Sequence, residues 1–390
     1  MKTKLENGTL TIFVEGKIDT GNAAEFEKEL HTVRAQNPAE DLVLDCEKLE
    51  YISSFGLRVI LRLRREEPSL RLVGVSTEVY DIFDMTGFTE MIPIEKAFRR
   101  VSVDGCTVIG RGAKGTVYRL NPEIIIKVYR DSDCLPQIRK EQELARKAFV
   151  LGVPTALSYD VVKVGEQYGS VFELLDAKSF SELIREDPDG LVSYVNIYAD
   201  MLRKIHAIQA EPGSMPDIKM RILRWLAEAE KYLPEYAAQR LRELIAATPD
   251  RCNVLHCDYH TNNLLMQGGE ALLIDMDTLS LGHPIFELAN VFVTYVGFGY
   301  EDPGNVERFL GIDYATSKKI WDLFLLRYLG TEDPERIADV EKKARLLSDL
   351  RILRHIGRRE GMTTEIGRRS IAGGVKRILE ALPEIDTLDF

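Results

Sequence analysis

The chain has 390 residues, 45% of them hydrophobic, enough for two or three ordinary domains with sizeable cores, and this composition excludes a disordered chain. A formal net charge of -11 and a pI near 5.3 argue against a dedicated nucleic-acid binder, so any anionic ligand must be held by local groups. Cys46, Cys106, Cys134, Cys252 and Cys257 form no CxxC pair, the N-terminal residues contain no apolar signal-like run, and no stretch is apolar enough to span a bilayer. Together these features predict a cytoplasmic protein with reduced thiols, no membrane partner and no nucleic-acid partner.

Along the chain, Leu10, Ile12 and Val14 alternate over Thr9 to Glu15 as in a half-buried strand, and Phe26, Leu30 and Val33 recur at helical spacing after Ala23. Asp41 to Asp45 reads as a short strand, Leu57 to Leu63 as a helix, Leu70 to Val75 as a strand and Val79 to Met85 as a helix. This alternation predicts an α/β domain over residues 1–100. The pattern then restarts with strand-like runs at Gly110 to Leu120 and Ile124 to Tyr129, followed by an amphipathic helix from Gln137 to Leu151 that Gly152 and Pro154 stop. A β-rich lobe over 101–177 and a helical lobe over 178–390 follow, the latter interrupted by two apolar runs between Val254 and Asp277 that flank a polar loop.

Chemistry-bearing residues appear in a definite order. Gly110, Gly112 and Gly115, with Val117 after them, sit where a strand turns back, leaving backbone N–H groups open to phosphate oxygens. On the next strand Lys127 is flanked by apolar residues, an expensive position unless an anion or carboxylate meets it. Glu141 or Glu143 on the following helix could supply that carboxylate; the spacing to Gly152 and Pro154 favours Glu141. No GxxxxGK[ST] run is present, which disfavours a P-loop. Further on, the HCDYHTNN run contributes His256, Asp258, His260 and Asn263, and LIDMD contributes Asp275. Phosphoryl transfer needs a carboxylate to accept a hydroxyl proton, which Asp258 fits, and oxygen ligands for Mg²⁺, which Asn263 and Asp275 fit. A zinc cluster of His256, Cys257, Asp258 and His260 is the competing reading, but no second ligand group accompanies it.

Residues 105 to about 300 resemble the aminoglycoside phosphotransferase and choline kinase branch of the protein-kinase-like fold, through the HxDxHxxN spacing and the following aspartate. Cys257 stands where that branch has glycine, and Gly282-His283-Pro284 where it commonly has GDP. The resemblance implies an α+β bilobal domain binding ATP and Mg²⁺. It further implies a hinge at Glu173 to Leu175 whose backbone meets adenine, a supporting role for His256 and His260, and a buttressing acid at Glu287. His206 reads as a helix-packing residue.

Residues 1–100 resemble the STAS domain of anti-sigma-factor antagonists through GKIDTGNAAEFEKEL, LVLDC and the Tyr51 to Leu57 run. That resemblance makes Ser54 a possible phosphorylation site and the domain a possible contact for a protein partner; the alternative is that Ser53 and Ser54 only cap a helix. Arg351, Arg354, Arg358, Arg359, Arg368, Arg369, Lys376 and Arg377 read chiefly as solvated helix faces. The expected activity is transfer of the ATP γ-phosphate to a small-molecule hydroxyl. A protein-serine kinase acting on Ser54, or a nucleotide-binding regulator without catalysis, are the alternatives.

Overall fold

Asn7 and Gly8, both in the left-handed region (φ 49° and 78°), form the two-residue turn that folds Lys2–Glu6 (β1) antiparallel onto Thr9–Ile18 (β2). The computed structural model describes all residues except 113, 132, 133, 176, 360 and 361. These residues divide into two compact units, Met1–Ser102 with Val161–Glu166, and Val103–Asp160 with Gln167–Phe390.

In the first unit the elements run β1, β2, Ala23–Gln36 (α1), Asp41–Ile52 (β3), Ser54–Glu66 (α2), Arg71–Val75 (β4), Thr77–Met85 (α3), Phe88–Met91 (α4), Ile94–Lys96 (β5) and the two-residue strand Arg99–Arg100 (β6). The sheet order is β1-β2-β3-β4-β5, parallel from β2 onward. Parallel strands require crossover helices, and the alternating sequence pattern supplied them. Leu10, Ile12, Leu42, Leu44, Leu72 and Val75 point into a core closed by Leu57, Ile60, Val79 and Phe83. Strand β1 was absent from the sequence reading because all five of its residues are exposed and carry no apolar alternation; it is a charged edge strand.

The second unit opens with Thr107–Arg111 (β7), Gly115–Arg119 (β8), Ile124–Tyr129 (β9) and Leu135–Val150 (α5); Ser158–Val164 (β10) begins in it and ends in the first unit, and Gln167–Glu173 (β11) follows in the second. Here β7, β8, β9 and β11 pair antiparallel in that order. Helices then dominate: Phe180–Glu186 (α6), Leu191–Ala207 (α7), Ile218–Ala229 (α8), Glu235–Ala247 (α9), Ile285–Tyr295 (α10), Gly304–Leu310 (α11), Tyr314–Leu329 (α12), Pro334–Arg359 (α13) and Glu365–Ala381 (α14). Between α9 and α10, Asn253–Leu255 pairs with Ser280–Gly282 and Leu264–Gln267 with Glu270–Leu273. These two small ladders hold the loop 256–263 at one end and Asp275 at the other. Helix α10 is buried along its whole length, at the centre of a core that includes Leu202, Ile205, Phe286, Trp321 and Phe324. Among the described residues no helix is long and apolar enough to cross a membrane, and none of the five cysteines is in a disulfide.

Candidate active site

The glycine hairpin is built by β7 and β8, with Gly110 opposite Val117 and the Gly112 N–H donating to Gly115 O at 2.9 Å. Its glycines do different work. A Cβ on Gly115 would lie 2.2 Å from Val128 O, so β9 can approach only because position 115 has no side chain. A Cβ on Gly112 would meet nothing within 4 Å, and none of the three adopts positive φ.

Strand β9 places Lys127 in the half-buried interior, where its Nζ lies 3.2 Å from Glu141 Oε1 and 3.9 Å from Asp275 Oδ1. Glu141 is thus the partner, while Glu143 faces outward to Lys147 at 2.6 Å. The Tyr129 hydroxyl donates to the other Glu141 oxygen at 3.3 Å, fixing the carboxylate against the sheet. Burial, with the Glu141 charge beside it, pushes the Tyr129 phenol well above its ordinary value, so it stays a donor. Lys114 of the hairpin forms an ion pair with Asp277 and lies 3.9 Å from Asp275 Oδ1.

Beside these groups is a cavity of about 450 Å³ lined by Gly110, Val117 and Lys127 on one side and Asn263, Ile274 and Asp275 on the other. Glu173, Leu174 and Leu175 close its far end. The Leu174 N–H is committed to Glu123 O at 2.7 Å, and the Leu175 N–H meets no acceptor among the described residues. Apolar walls with a few convergent polar groups are the usual architecture of a ligand site.

The polar loop carries Asp258, whose side chain is 33% exposed. His260 Nε2 lies 3.6 Å from one carboxylate oxygen and Arg351 3.9 Å from the other. Burial pushes the Asp258 carboxyl up, but the His260 ring, Arg351 and His256 outweigh it and hold the group well below its ordinary value. Asn263 Nδ2 donates to Asp258 O at 3.0 Å, tying the two ends of the loop together. His256 commits both ring nitrogens to the backbone: Nε2 donates to Ile274 O at 3.2 Å and Nδ1 accepts the Asp258 N–H at 3.3 Å. It is therefore a brace and not a metal ligand, which removes the zinc reading.

Glu287, fully buried on α10, is the anchor of this loop. It accepts the N–H groups of His256 (2.8 Å) and Cys257 (2.5 Å) and the His206 Nε2 at 2.9 Å. Cys257 adopts φ 66°, a conformation that glycine takes without strain and a side chain does not. Glu287 on its N–H and Asn290 Nδ2 on its carbonyl (3.3 Å) hold cysteine there. Asp275 is also left-handed (φ 63°), which aspartate tolerates better than most residues. Glu141, Asp275 and Asp277 bring ligand oxygens within 4.8 Å of one another. The Asp275 and Asp277 Oδ1 atoms are buried with no hydrogen-bond partner, the condition a hard divalent cation would relieve.

Three residues at this site escaped the sequence reading. Composition places Arg351 and Arg354 on solvated faces, yet both side chains are only 21% exposed, and Arg351 reaches Asp258. Their i, i+3 spacing on one face of α13 was the available signal. Arg221 had no signal; α8 aims it at Thr278 O and Ser280 Oγ. In the first unit Ser53 is the N-cap of α2, accepting the Gly56 N–H at 3.3 Å, which leaves Ser54 exposed at the first helical position.

The model of a family described as "Phosphotransferase enzyme family" matches residues 105–318, and that of the STAS domain matches residues 1–101. BtrV of Bordetella bronchiseptica, named after the anti-sigma factor antagonists, is 33% identical over 92 residues, covering 23% of this chain and 78% of BtrV. An anti-sigma-B factor antagonist of Listeria monocytogenes is 30% identical over 92 residues, 22% of this chain and 78% of that protein. Among solved structures, a thermostable mutant of aminoglycoside phosphotransferase APH(4)-Ia aligns with a TM-score of 0.49 and 14% identity, covering 72% of this chain and 94% of that one. ADP-bound aminoglycoside phosphotransferase APH(2'')-Ib aligns with a TM-score of 0.47 and 14% identity, covering 73% and 96%.

Proposed function

Because this chain belongs to the phosphotransferase enzyme family and carries a STAS domain at its N-terminus, we propose that it transfers the γ-phosphate of ATP to a hydroxyl group of a small molecule in the cytoplasm. The observation that carries this reading is the meeting of a Glu141-held Lys127 with Asn263 and Asp275 around one cavity, with the Asn263 side chain bonded to the backbone carbonyl of Asp258. The adenine would lie between Ile109, Val117 and Ile125, with the Leu175 backbone as its polar contact. Lys127 would meet the phosphates, and the open backbone around Gly112 would lie over them.

Asp258 would orient the acceptor hydroxyl. As that oxygen bonds to the γ-phosphorus and the bond to the ADP leaving oxygen breaks, the Asp258 carboxylate takes the hydroxyl proton. Its depressed proton affinity keeps the carboxylate ionised, and so ready to accept, throughout the neutral range. A magnesium ion held by Asn263 and Asp275, with Asp277 beside them, would supply positive charge against the nucleotide phosphates.

A second reading, a protein-serine kinase acting on a STAS-domain serine, is favoured by one observation: Ser53 alone performs the capping, so Ser54 is an exposed hydroxyl at a helix start. A phosphate there would meet free N–H groups and alter the surface offered to a protein partner. Label transfer from γ-labelled ATP tests both readings in the full chain beside Asp258→Asn and Ser54→Ala. Asp258→Asn is expected to lower transfer about 10²- to 10⁴-fold; unchanged transfer discards Asp258 as the base. Protein-bound label lost in both variants would move the reading to Ser54, whereas label on small hydroxylated acceptors alone discards it.

A further inference from the structure

The acid-base residue of this acidic protein stands at the edge of a cluster of arginines. On α13, Arg351, Arg354 and Arg358 lie at i, i+3 and i+7; on α8, which packs against α13, Arg221, Trp225 and Glu228 lie at i, i+4 and i+7. These spacings turn both sets onto the shared seam. The guanidinium of Arg354 sits 5.0 Å from the Trp225 ring centroid and that of Arg351 5.8 Å from it. Arg354 and Arg358 reach the same carboxylate oxygen, Glu228 Oε2, at 2.9 and 3.0 Å. Three guanidinium groups thus face two carboxylates, Glu228 and Asp258, while that of Arg221 beside them bonds Thr278 O and Ser280 Oγ.

Such crowding does not help the fold, because the largely buried Arg351 and Arg354 repel one another and each loses hydration, while Arg358 stays exposed. Burial draws the Arg351 group below its usual proton affinity, Asp258 works in the opposite direction, and Arg354 and Arg221 add to the burial effect. Arg351 is nevertheless held in place by Asn290 Oδ1 at 2.8 Å. Concentrated positive charge with planar donor forks suits an oxyanion, and an ammonium-bearing acceptor would be repelled from it.

Resting on the phosphotransferase reading, we infer that the hydroxyl acceptor also carries an oxyanion, a phosphate or carboxylate, which Arg354 and Arg351 bind in the α8–α13 seam beside Asp258. Glu228 then acts as a stand-in counter-ion that the ligand displaces from Arg354.

Trp225 reports on this directly. The chain has two tryptophans, and the other, Trp321, is 1% exposed in the core. The full-length protein, free of nucleotide, is titrated with inorganic phosphate, glycerol 3-phosphate, glycerate, glycerol and glucosamine while tryptophan emission is followed. Glycerol 3-phosphate or glycerate is expected to give a saturable change, and their ranking distinguishes phosphate from carboxylate. Loss of a charge-assisted contact in Arg354→Gln should weaken that binding about ten-fold or more. Arg354→Lys should recover part of it, and Glu228→Gln should tighten it by freeing Arg354 and Arg358. No emission change with any anion, equal affinities in all three variants, or preference for glucosamine overturns the inference. No turnover is read in this titration. Its failure beside Asp258-dependent label transfer discards the acceptor class alone, whereas an intact titration with Asp258-independent transfer discards the transfer reading.

Discussion

Replacing Glu287 with glutamine tests whether the loop bearing Asp258 is held from α10. Three donors converge on this carboxylate, the His256 and Cys257 N–H groups and His206 Nε2, and the side chain is 0% exposed. An amide offers one oxygen and one NH₂. If the oxygen stays with His256 and His206, the NH₂ faces the Cys257 N–H, donor against donor; reversed, it faces the other two. At least one buried N–H is therefore left unmet, a loss of about 1–3 kcal/mol, and the surviving bonds lose their charge-assisted strength. The neutral amide is cheaper to bury, which trims the loss, and a net destabilisation of about 2 kcal/mol is expected. The first arrangement leaves fewer donors unmet, and in it Cys257, already at φ 66°, loses the bond that opposes its strain, so Asp258 next to it should shift and transfer should fall about 10²-fold. Urea unfolding followed by tryptophan emission measures the first effect cleanly, since Trp225 and Trp321 both lie in the second unit. A variant with wild-type midpoint and wild-type transfer would refute the claim that Glu287 holds this loop.

Two further outcomes follow from single groups. Gly115→Ala, whose Cβ would meet Val128 O at 2.2 Å, should destabilise the β-rich lobe by about 1–3 kcal/mol in urea unfolding, while Gly112→Ala, in open space, should leave stability within about 0.5 kcal/mol; equal effects would show that the hairpin packs differently. Burial pushes the carboxyl of Asp349 up to about 7 from 3.8, with Arg377 at 2.8 Å opposing the rise. In the window between those values the folded chain binds the extra proton, so stability should fall as pH rises through it and level off above 7. The urea midpoint should accordingly increase on going from about pH 8 to about pH 6, and a flat or opposite dependence would refute the assignment.

The local patterns that specify this protein were visible in the chain itself. Apolar alternation over Thr9 to Glu15 and helical spacing after Ala23 mark elements of the first unit, the strand itself running on to Ile18, because strand and helix periods are set by backbone geometry. The order of Gly110, Lys127, Asp258, Asn263 and Asp275 marked candidates for one site, and four of them, Gly110, Lys127, Asn263 and Asp275, line one cavity. Tertiary structure alone decided what those groups touch. Glu141 and Glu143 have nearly the same sequence context, and only the rotation of α5 sends one to Lys127 and the other to Lys147. Cys257 looked like a departure whose cost could not be read from the chain; its positive φ and the Glu287 bond explain both the strain and its tolerance. Arg351, Arg354 and Arg358 looked like solvated charge because composition reports charge and not burial. A helix from far down the chain, packed against α8, turns two of them inward, Arg354 to Glu228 and Arg351 to Asp258, the latter a pairing 93 residues apart that no local period encodes.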